Sequence, residues 1–393
     1  MAKKKSTKRI QKNVERAAHE LSKTRGGRVV LVIAIILILA VVAFGVYWFY
    51  FRGKNSQDAE QKSYPNVSDQ DISIHFLELG NVYTGDCTYI KTDSCDILID
   101  CGSRESSVPS VADYLNHYVT DGTLEYVIVT HAHEDHYAGF AGNGTYKSLF
   151  EYYTCQTIID FAGVTSGKTE QAMYLRYQAA LEKEIDEEHA NHYTALQCVN
   201  ETDGAQKSYD IGSGYTMQIL DSYYYVNVDS SNENNNSVCT LFTNGSKNYL
   251  FTGDLEKNGE KYLIARNTLP KVDLYKAGHH GSKTSSCAEF MEVIQPKTIV
   301  VCCCAGSPEY TKTNENQFPT QEFVTNVHSY TDEIYVTTLY TGDSTKSVDK
   351  TAFTAFNGNV VYMSKGDVYK VVCSASSVKL KDSEWFKKNR TWA

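Results

Sequence analysis

The chain has 393 residues, with 47 Asp/Glu against 38 Lys/Arg and a net charge of −9, and is long enough for one large domain or two ordinary ones. Charge is unevenly spread: residues 1–28 hold ten Lys/Arg against Glu15 and Glu20, a net +8, which leaves −17 for the rest. That acidic remainder argues against an extended nucleic-acid footprint, which needs a basic face to displace counterions.

Directly after the basic tail, residues 29–51 (VVLVIAIILILAVVAFGVYWFYF) carry no charge at all. As a helix they would reach about 34 Å, against a bilayer core of roughly 30 Å. A cleaved signal peptide has a shorter apolar stretch that ends in small residues. This one ends in Tyr47-Trp48-Phe49-Tyr50-Phe51, an aromatic belt suited to the membrane interface. The expectation is a single uncleaved transmembrane helix in the cell membrane. The basic tail would stay in the cytoplasm and everything after the helix would lie outside. Residues 52–70 read as a polar stalk, 71–375 as the extracellular domain, and 376–393 as a polar C-terminal tail, frayed from Lys379.

Within the domain, ISIHFLEL, CTYIKT and DILIDCG read as short strands, and YVIVTHAH as a buried strand. Residues 169–189 carry helical spacing and suit an insertion. Strands resume with YTMQILDS and SVCTLFTNGSKNYLFTGD, where Asn244-Gly245 marks a hairpin turn, then VDLYKAGHHGS, PKTIVVCCC, EIYVTTLY and NVVYMS. Helices are expected at 288–294 and 320–329. There is no repeat at solenoid or propeller spacing, so one mixed α/β domain accounts for the pattern. The eleven cysteines form neither a compact disulfide framework nor a Cys-x-x-Cys zinc pattern. Successive side chains of a strand face opposite ways, so Cys302, Cys303 and Cys304 cannot share one site and read as small buried hydrophobes.

Chemistry concentrates in THAHEDHYAG, residues 130–139. His131, His133, Asp135 and His136 follow a strand in a tight loop, the arrangement a two-metal site needs, and imidazole with carboxylate suits zinc, manganese or iron. FTGDLE places Asp254 at another strand end, where one carboxylate could bridge two ions. AGHHGS places His279 and His280 at a third. The other six histidines read as ordinary surface or core residues.

On these stretches the chain resembles the metallo-β-lactamase-fold hydrolases, and most of all the ComEC-like branch, the hydrolase domain of the competence DNA-uptake channel. IHFLELGNVYTGDCTYIKTDSCDILIDCGSR resembles the family's opening strands. THAHEDHYAG is its metal motif, NNNSVCTLFTNGSKNYLFTGDLE its middle segment and VDLYKAGHHGSKTSSCAEFMEVIQPKTIVV its His-His-Gly-Ser segment. The resemblance covers residues 71–364.

It implies a four-layer αββα sandwich behind the transmembrane helix, with two divalent metals, zinc or manganese, at one edge between two sheets. His131 and His133 would hold the first metal, and Asp135, His136 and His280 the second, with Asp254 between them. Asp100 would support the loop. The implied catalytic groups are Asp135, His279 and Glu256, the last two moving protons or orienting phosphate. The alternative within the histidine pair makes His279 the ligand and His280 the helper.

Two departures stand out. Asn234-Asn235-Asn236-Ser237 occupies the region where many relatives place another first-metal histidine, and NQFPT keeps only Pro319 of a Tyr-Gly-His-Pro element. ComEC's channel of many membrane helices is absent.

The resemblance therefore implies a membrane-anchored extracellular metal-dependent hydrolase, a phosphodiesterase or nuclease using a metal-bound hydroxide. Its partners would be the membrane and a phosphoester substrate, DNA being one candidate; no protein partner is inferred. The alternatives are a hydrolase of cell-surface phosphoesters, such as choline phosphate or a teichoic-acid-like polymer, and an inert extracellular binding module.

Overall fold

The computed structural model describes residues 64–393; before them only Lys23, Gly26 and Val29 are described. The expected membrane helix at 29–51 therefore lies, Val29 aside, outside the described residues. Among the described residues no helix is long and apolar enough to cross a membrane.

Among the described residues, sixteen strands form two eight-stranded sheets. In chain order the first six are β1 (Ile72–Phe76), β2 (Thr88–Lys91), β3 (Asp96–Ile99), β4 (Thr123–Ile128), β5 (Thr154–Asp160) and β6 (Asn191–Thr194). The second sheet takes β7 (Ser208–Asp210), β8 (Thr216–Ile219), β9 (Thr240–Thr243), β10 (Asn248–Phe251), β11 (Leu274–Lys276), β12 (Thr298–Ala305), β13 (Ile334–Tyr340) and β14 (Phe353–Ala355). Strands β15 (Val360–Lys365) and β16 (Val368–Cys373) return to the first sheet, β15 pairing antiparallel with β1. Two runs are parallel, β3 to β6 and β10 to β13. The C-terminal ends of parallel strands are where loops can build a site. The loops after β4, β10 and β11 carry the three motifs.

Strand β12 shows how the layers separate. It is buried along its whole length, and its side chains alternate between two cores. Val300 and Cys302 join the core between the sheets, where Phe76 of one sheet meets Phe251 of the other at 6.2 Å between ring centroids. Ile299, Val301 and Cys303 face Phe290, Met291 and Ile294 of the helix Ala288–Ile294, and Phe323, Val324 and Val327 of the helix Gln321–Val327. The three consecutive cysteines thus fall into three different clusters. All the cysteines are free thiols. Helices also cover the first sheet, with Val108, Leu115, Phe140, Tyr177 and Leu181 in its core. The fold is a mixed α/β architecture of two large sheets clothed by helices.

The insertion helix runs Ala172–Asp186, and the hairpin between β9 and β10 turns at Gly245, whose φ of +87° needs a residue without Cβ. The C-terminal segment is not frayed, as its polar letters suggested. Leu380 and Phe386 are buried in the second core, and the helix Glu384–Asn389 ends beside a buried Arg390. The Arg390 guanidinium donates to the carbonyls of Pro319 (2.9 Å) and Gln317 (2.7 Å) and to Asn314 Oδ1 (3.0 Å). One arginine satisfies a loop that has no ladder of its own. The end of the expected stalk also packs on the domain. Tyr64 stacks on His117 at 4.2 Å, and the Tyr118 hydroxyl donates to Pro65 O at 3.1 Å.

Candidate metal centre

The centre begins with Asp100, just past β3 in left-handed backbone (φ +59°), a conformation Asp tolerates better than most residues. Its buried carboxylate accepts from Thr130 N (2.8 Å), Thr130 Oγ1 (2.7 Å) and His136 Nδ1 (2.8 Å). A Cβ at Gly102 would collide with the backbone of Asp135 and His136, so only glycine lets the two loops close. His133 caps the helix Glu134–Ala141, and Asp135 and His136 lie in its first turn, where carboxylates are favoured by the helix dipole. From the other side, Glu233 accepts from Ala132 N (3.1 Å) and Thr165 N (2.7 Å), pinning the metal motif to the loop after β5.

These bonds decide which ring nitrogens face the centre. Thr130 Oγ1 gives its proton to Asp100, so it accepts from His131 Nδ1 at 3.1 Å and leaves Nε2 of His131 a lone pair. His136 donates Nδ1–H to Asp100, and His280 donates Nδ1–H to Cys302 O at 2.8 Å. All three imidazoles therefore turn Nε2 inward, the orientation that outer partners impose on metal-ligating histidines.

The inward atoms converge. His136 Nε2 is 3.1 Å and His280 Nε2 3.2 Å from Asp254 Oδ2, and His280 Nε2 is 3.3 Å from Asp135 Oδ2. His131 Nε2 lies 3.0 Å from His133 Nδ1. Buried His136 Nε2 and His280 Nε2 have no hydrogen-bond partner. Buried polar atoms are rarely left so, and these are ligand types for a borderline divalent cation. The donor set therefore fits a metal.

Two residues that sequence reasoning missed complete the interior. Asp86, Asp254, His136 and His280, all buried, each place a ligand atom within 4.8 Å of the others. Asp86 approaches His280 and His136 on their Nδ1 sides, at 3.3 and 3.7 Å, whereas Asp135 and Asp254 meet the Nε2 atoms. It therefore stands behind the rings. Its close partner is the buried ammonium of Lys276, with which it forms an ion pair. Tyr310 is the third omission: its ring is exposed, yet its hydroxyl donates to Asp135 Oδ2 at 2.7 Å.

Electrostatics follow the crowding. Burial lowers the pKa of His136, but Asp254 and Asp100 outweigh it and hold the imidazole up at about 10. His280 is raised in the same way, against burial, by Asp254 and Asp86. Asp135 and Asp254 are held well below the usual range although burial opposes it: His280 and then His136 act on Asp135, and His136 and then His280 on Asp254. His131 and His133 have fewer carboxylates close by, and burial lowers both.

The two histidines of the pair are placed differently. His279 and His280 both adopt left-handed backbone (φ +44° and +55°), a cost tolerated where function fixes a side chain. His280 points into the ligand cluster, while His279 Nε2 stays 3.9 Å from Asp254 Oδ2 and its Nδ1 contacts Thr284 Oγ1 at 2.9 Å. Glu256 is held by two asparagines. Its oxygens accept from Asn232 (2.8 Å) and Asn234 (3.1 Å), and its Oε1 is 3.6 Å from His279 Nδ1. The asparagine run thus grips Glu256, and Ser237 Oγ accepts from Asp254 N at 3.1 Å.

Residues 80–142, from the loop before Asp86 through the histidine motif, match the model of the metallo-beta-lactamase superfamily. Over that segment the chain is similar to this superfamily. Its ComEC-like character is supported by two curated relatives. ComE operon protein 3 of Bacillus subtilis is 28% identical over 184 residues, covering 45% of this chain and 20% of that protein. Recombination protein 2 of Haemophilus influenzae is 31% identical over 117 residues, covering 30% and 13%. The chain spans a fifth or less of the length of these relatives. Among solved structures, the metallo-beta-lactamase fold protein YhfI from Bacillus subtilis is 13% identical, with 67% of this chain and 95% of that chain covered at a TM-score of 0.37.

Proposed function

We propose that this metallo-beta-lactamase domain is a metal-dependent hydrolase of phosphoester bonds, carried on the extracellular side of a membrane by the apolar segment 29–51. The observation that supports it is the convergence of Asp135, His136, Asp254 and His280 with inward ring nitrogens left unpartnered. A divalent ion held there, zinc or manganese, supplies a Lewis acid that lowers the pKa of water and offsets charge building on phosphorus. His131 and His133 offer a second, weaker set for another ion.

The chain's own residues would do the rest. His279 sits beside the cluster without entering it, and Thr284 and Glu256 orient its ring, so it can pass a proton to the leaving oxygen. Tyr310 steadies Asp135 from outside. The Tyr310 and Phe318 rings stand 5.6 Å apart, and Phe318 lies 5.8 and 5.9 Å from His279 and His280. This aromatic wall, in place of a polar element, suits a leaving group with a flat or quaternary-ammonium face. Nucleotides and choline phosphoesters both qualify, and a reading as an inert binding module leaves the unpartnered ligand atoms without a purpose.

The test is a hydrolysis screen of the purified chain with bis-p-nitrophenyl phosphate, single-stranded DNA and choline phosphoesters, with manganese or zinc added. Cleavage that a chelator abolishes and metal restores is expected. A chain that binds metal and cleaves none of these substrates overturns the phosphoester reading.

A further inference from the structure

Lys276 is a feature of the interior that neither the metal set nor the proton path uses. It ends β11, and its side chain is buried at 2% exposure. An isolated ammonium costs several kcal/mol to bury, so its partners must be specific. They are the Asp86 carboxylate, the Gly253 carbonyl at 3.4 Å and Asp254 Oδ1 at 3.6 Å.

The two oxygens of Asp254 therefore face different cations. Oδ2 meets the Nε2 atoms of His136 and His280, and Oδ1 faces Lys276. One way for a carboxylate to bridge two ions is to give one oxygen to each, and here the second oxygen looks at an ammonium, which closes that mode. The other half of a two-metal site is equally thin. His131 and His133 face each other, and in the segment Asn234–Ser237 the Ser237 hydroxyl is engaged by the backbone of Asp254 while Asn234 holds Glu256.

Building on the metal-dependent reading, we propose that Lys276 stands in for the second divalent ion. It fixes a permanent positive charge on Asp254 Oδ1, so that the chain holds one metal tightly, at Asp135, His136, Asp254 and His280. Asp86 is its counter-ion and positions the ammonium. The second cation of this centre is covalently part of the chain and cannot be lost to a chelator or replaced by another metal.

Native mass spectrometry and calorimetric titration of the detergent-purified full chain with zinc, after stripping by chelator, test this without reference to activity. One tightly held ion per chain is expected. Lys276→Arg keeps the charge and should keep one. Lys276→Met releases Oδ1 and should raise the count to two. That variant strands Asp86 in the interior, so the Asp86→Asn/Lys276→Met double variant, which removes the buried pair together, is measured beside it, with circular dichroism reporting the fold. Two ions of comparable affinity in the unmodified chain, or a folded double variant that still binds one, overturn the role given to Lys276 and leave the hydrolase reading standing. A chain that takes up no metal overturns both.

Discussion

Asp100→Asn separates support of the metal loop from the loop's backbone strain. Asn tolerates the left-handed φ of +59° at this position as well as Asp does, so the substitution leaves the chain path alone. The carboxylate accepts three hydrogen bonds, from Thr130 N, Thr130 Oγ1 and His136 Nδ1, at 2.7–2.8 Å. An amide has one accepting oxygen, and its NH2 must face a donor, so at least one of these contacts becomes repulsive. If the His136 bond is lost, a charge-assisted hydrogen bond of roughly 1.5–3 kcal/mol goes with it, and His136 no longer presents Nε2 in a fixed direction. Metal affinity should then fall about 10–100-fold, the usual effect of removing such a support, equivalent to about 1.4–2.7 kcal/mol. Competition with a fluorescent zinc chelator measures this, and a thermal melt of the apo chain checks that the fold survives. Affinity within twofold of the unmodified chain would refute the assignment of Asp100 as the group that aims His136.

Asp254→Asn should abolish tight metal binding and nearly all hydrolysis while circular dichroism remains native-like, since it removes the charge facing His136, His280 and Lys276. His280→Ala should lose metal, whereas His279→Ala should keep its metal and drop kcat about 10²–10⁴-fold; the reverse pattern by mass spectrometry and kinetics would exchange their roles. His75 is held neutral by burial and then by Lys91, with its pKa down at about 3 against 6.5. The unfolded chain takes up a proton below pH 6.5 and the folded chain does not, so this contribution is whole above 6.5 and is lost as pH falls toward 3, by about 1.4 kcal/mol per pH unit. His75→Gln should flatten that part of the acid limb in urea titrations at pH 4.5–6.5. Arg390→Ala leaves buried carbonyls of Pro319 and Gln317 without donors, at roughly 1–3 kcal/mol each, and a thermal melt should show the loss.

What was legible in the sequence was local. The apolar runs marked the buried strands, and the spacing in residues 288–294 marked a helix found at Ala288–Ile294. His131 to His136 were legible because a ligand cluster in one loop is compressed into six positions. Asp86 and Lys276 were not, because each is a single charge in an otherwise ordinary segment. They meet only when the loop before β2 is brought against the end of β11. A lysine closing an apolar strand three positions before His-His was the available signal, since a buried strand end does not carry an ammonium without a buried partner. The surroundings of Glu256 were not legible for a related reason, as they are set by Asn232 and Asn234 from another loop. The C-terminal segment was judged by its lysines, while its anchors are the sparse Leu380, Phe386 and Arg390.

The most direct test follows bound metal and phosphodiester cleavage in one sample. The chain is stripped with chelator and titrated with manganese or zinc, and ion occupancy by mass spectrometry is read beside hydrolysis of bis-p-nitrophenyl phosphate, with Asp254→Asn in parallel. Cleavage should rise in proportion to the first ion bound and stay at background in Asp254→Asn. Cleavage that persists in the metal-free chain, or in Asp254→Asn at the rate of the unmodified chain, would contradict a hydrolytic centre built on these residues.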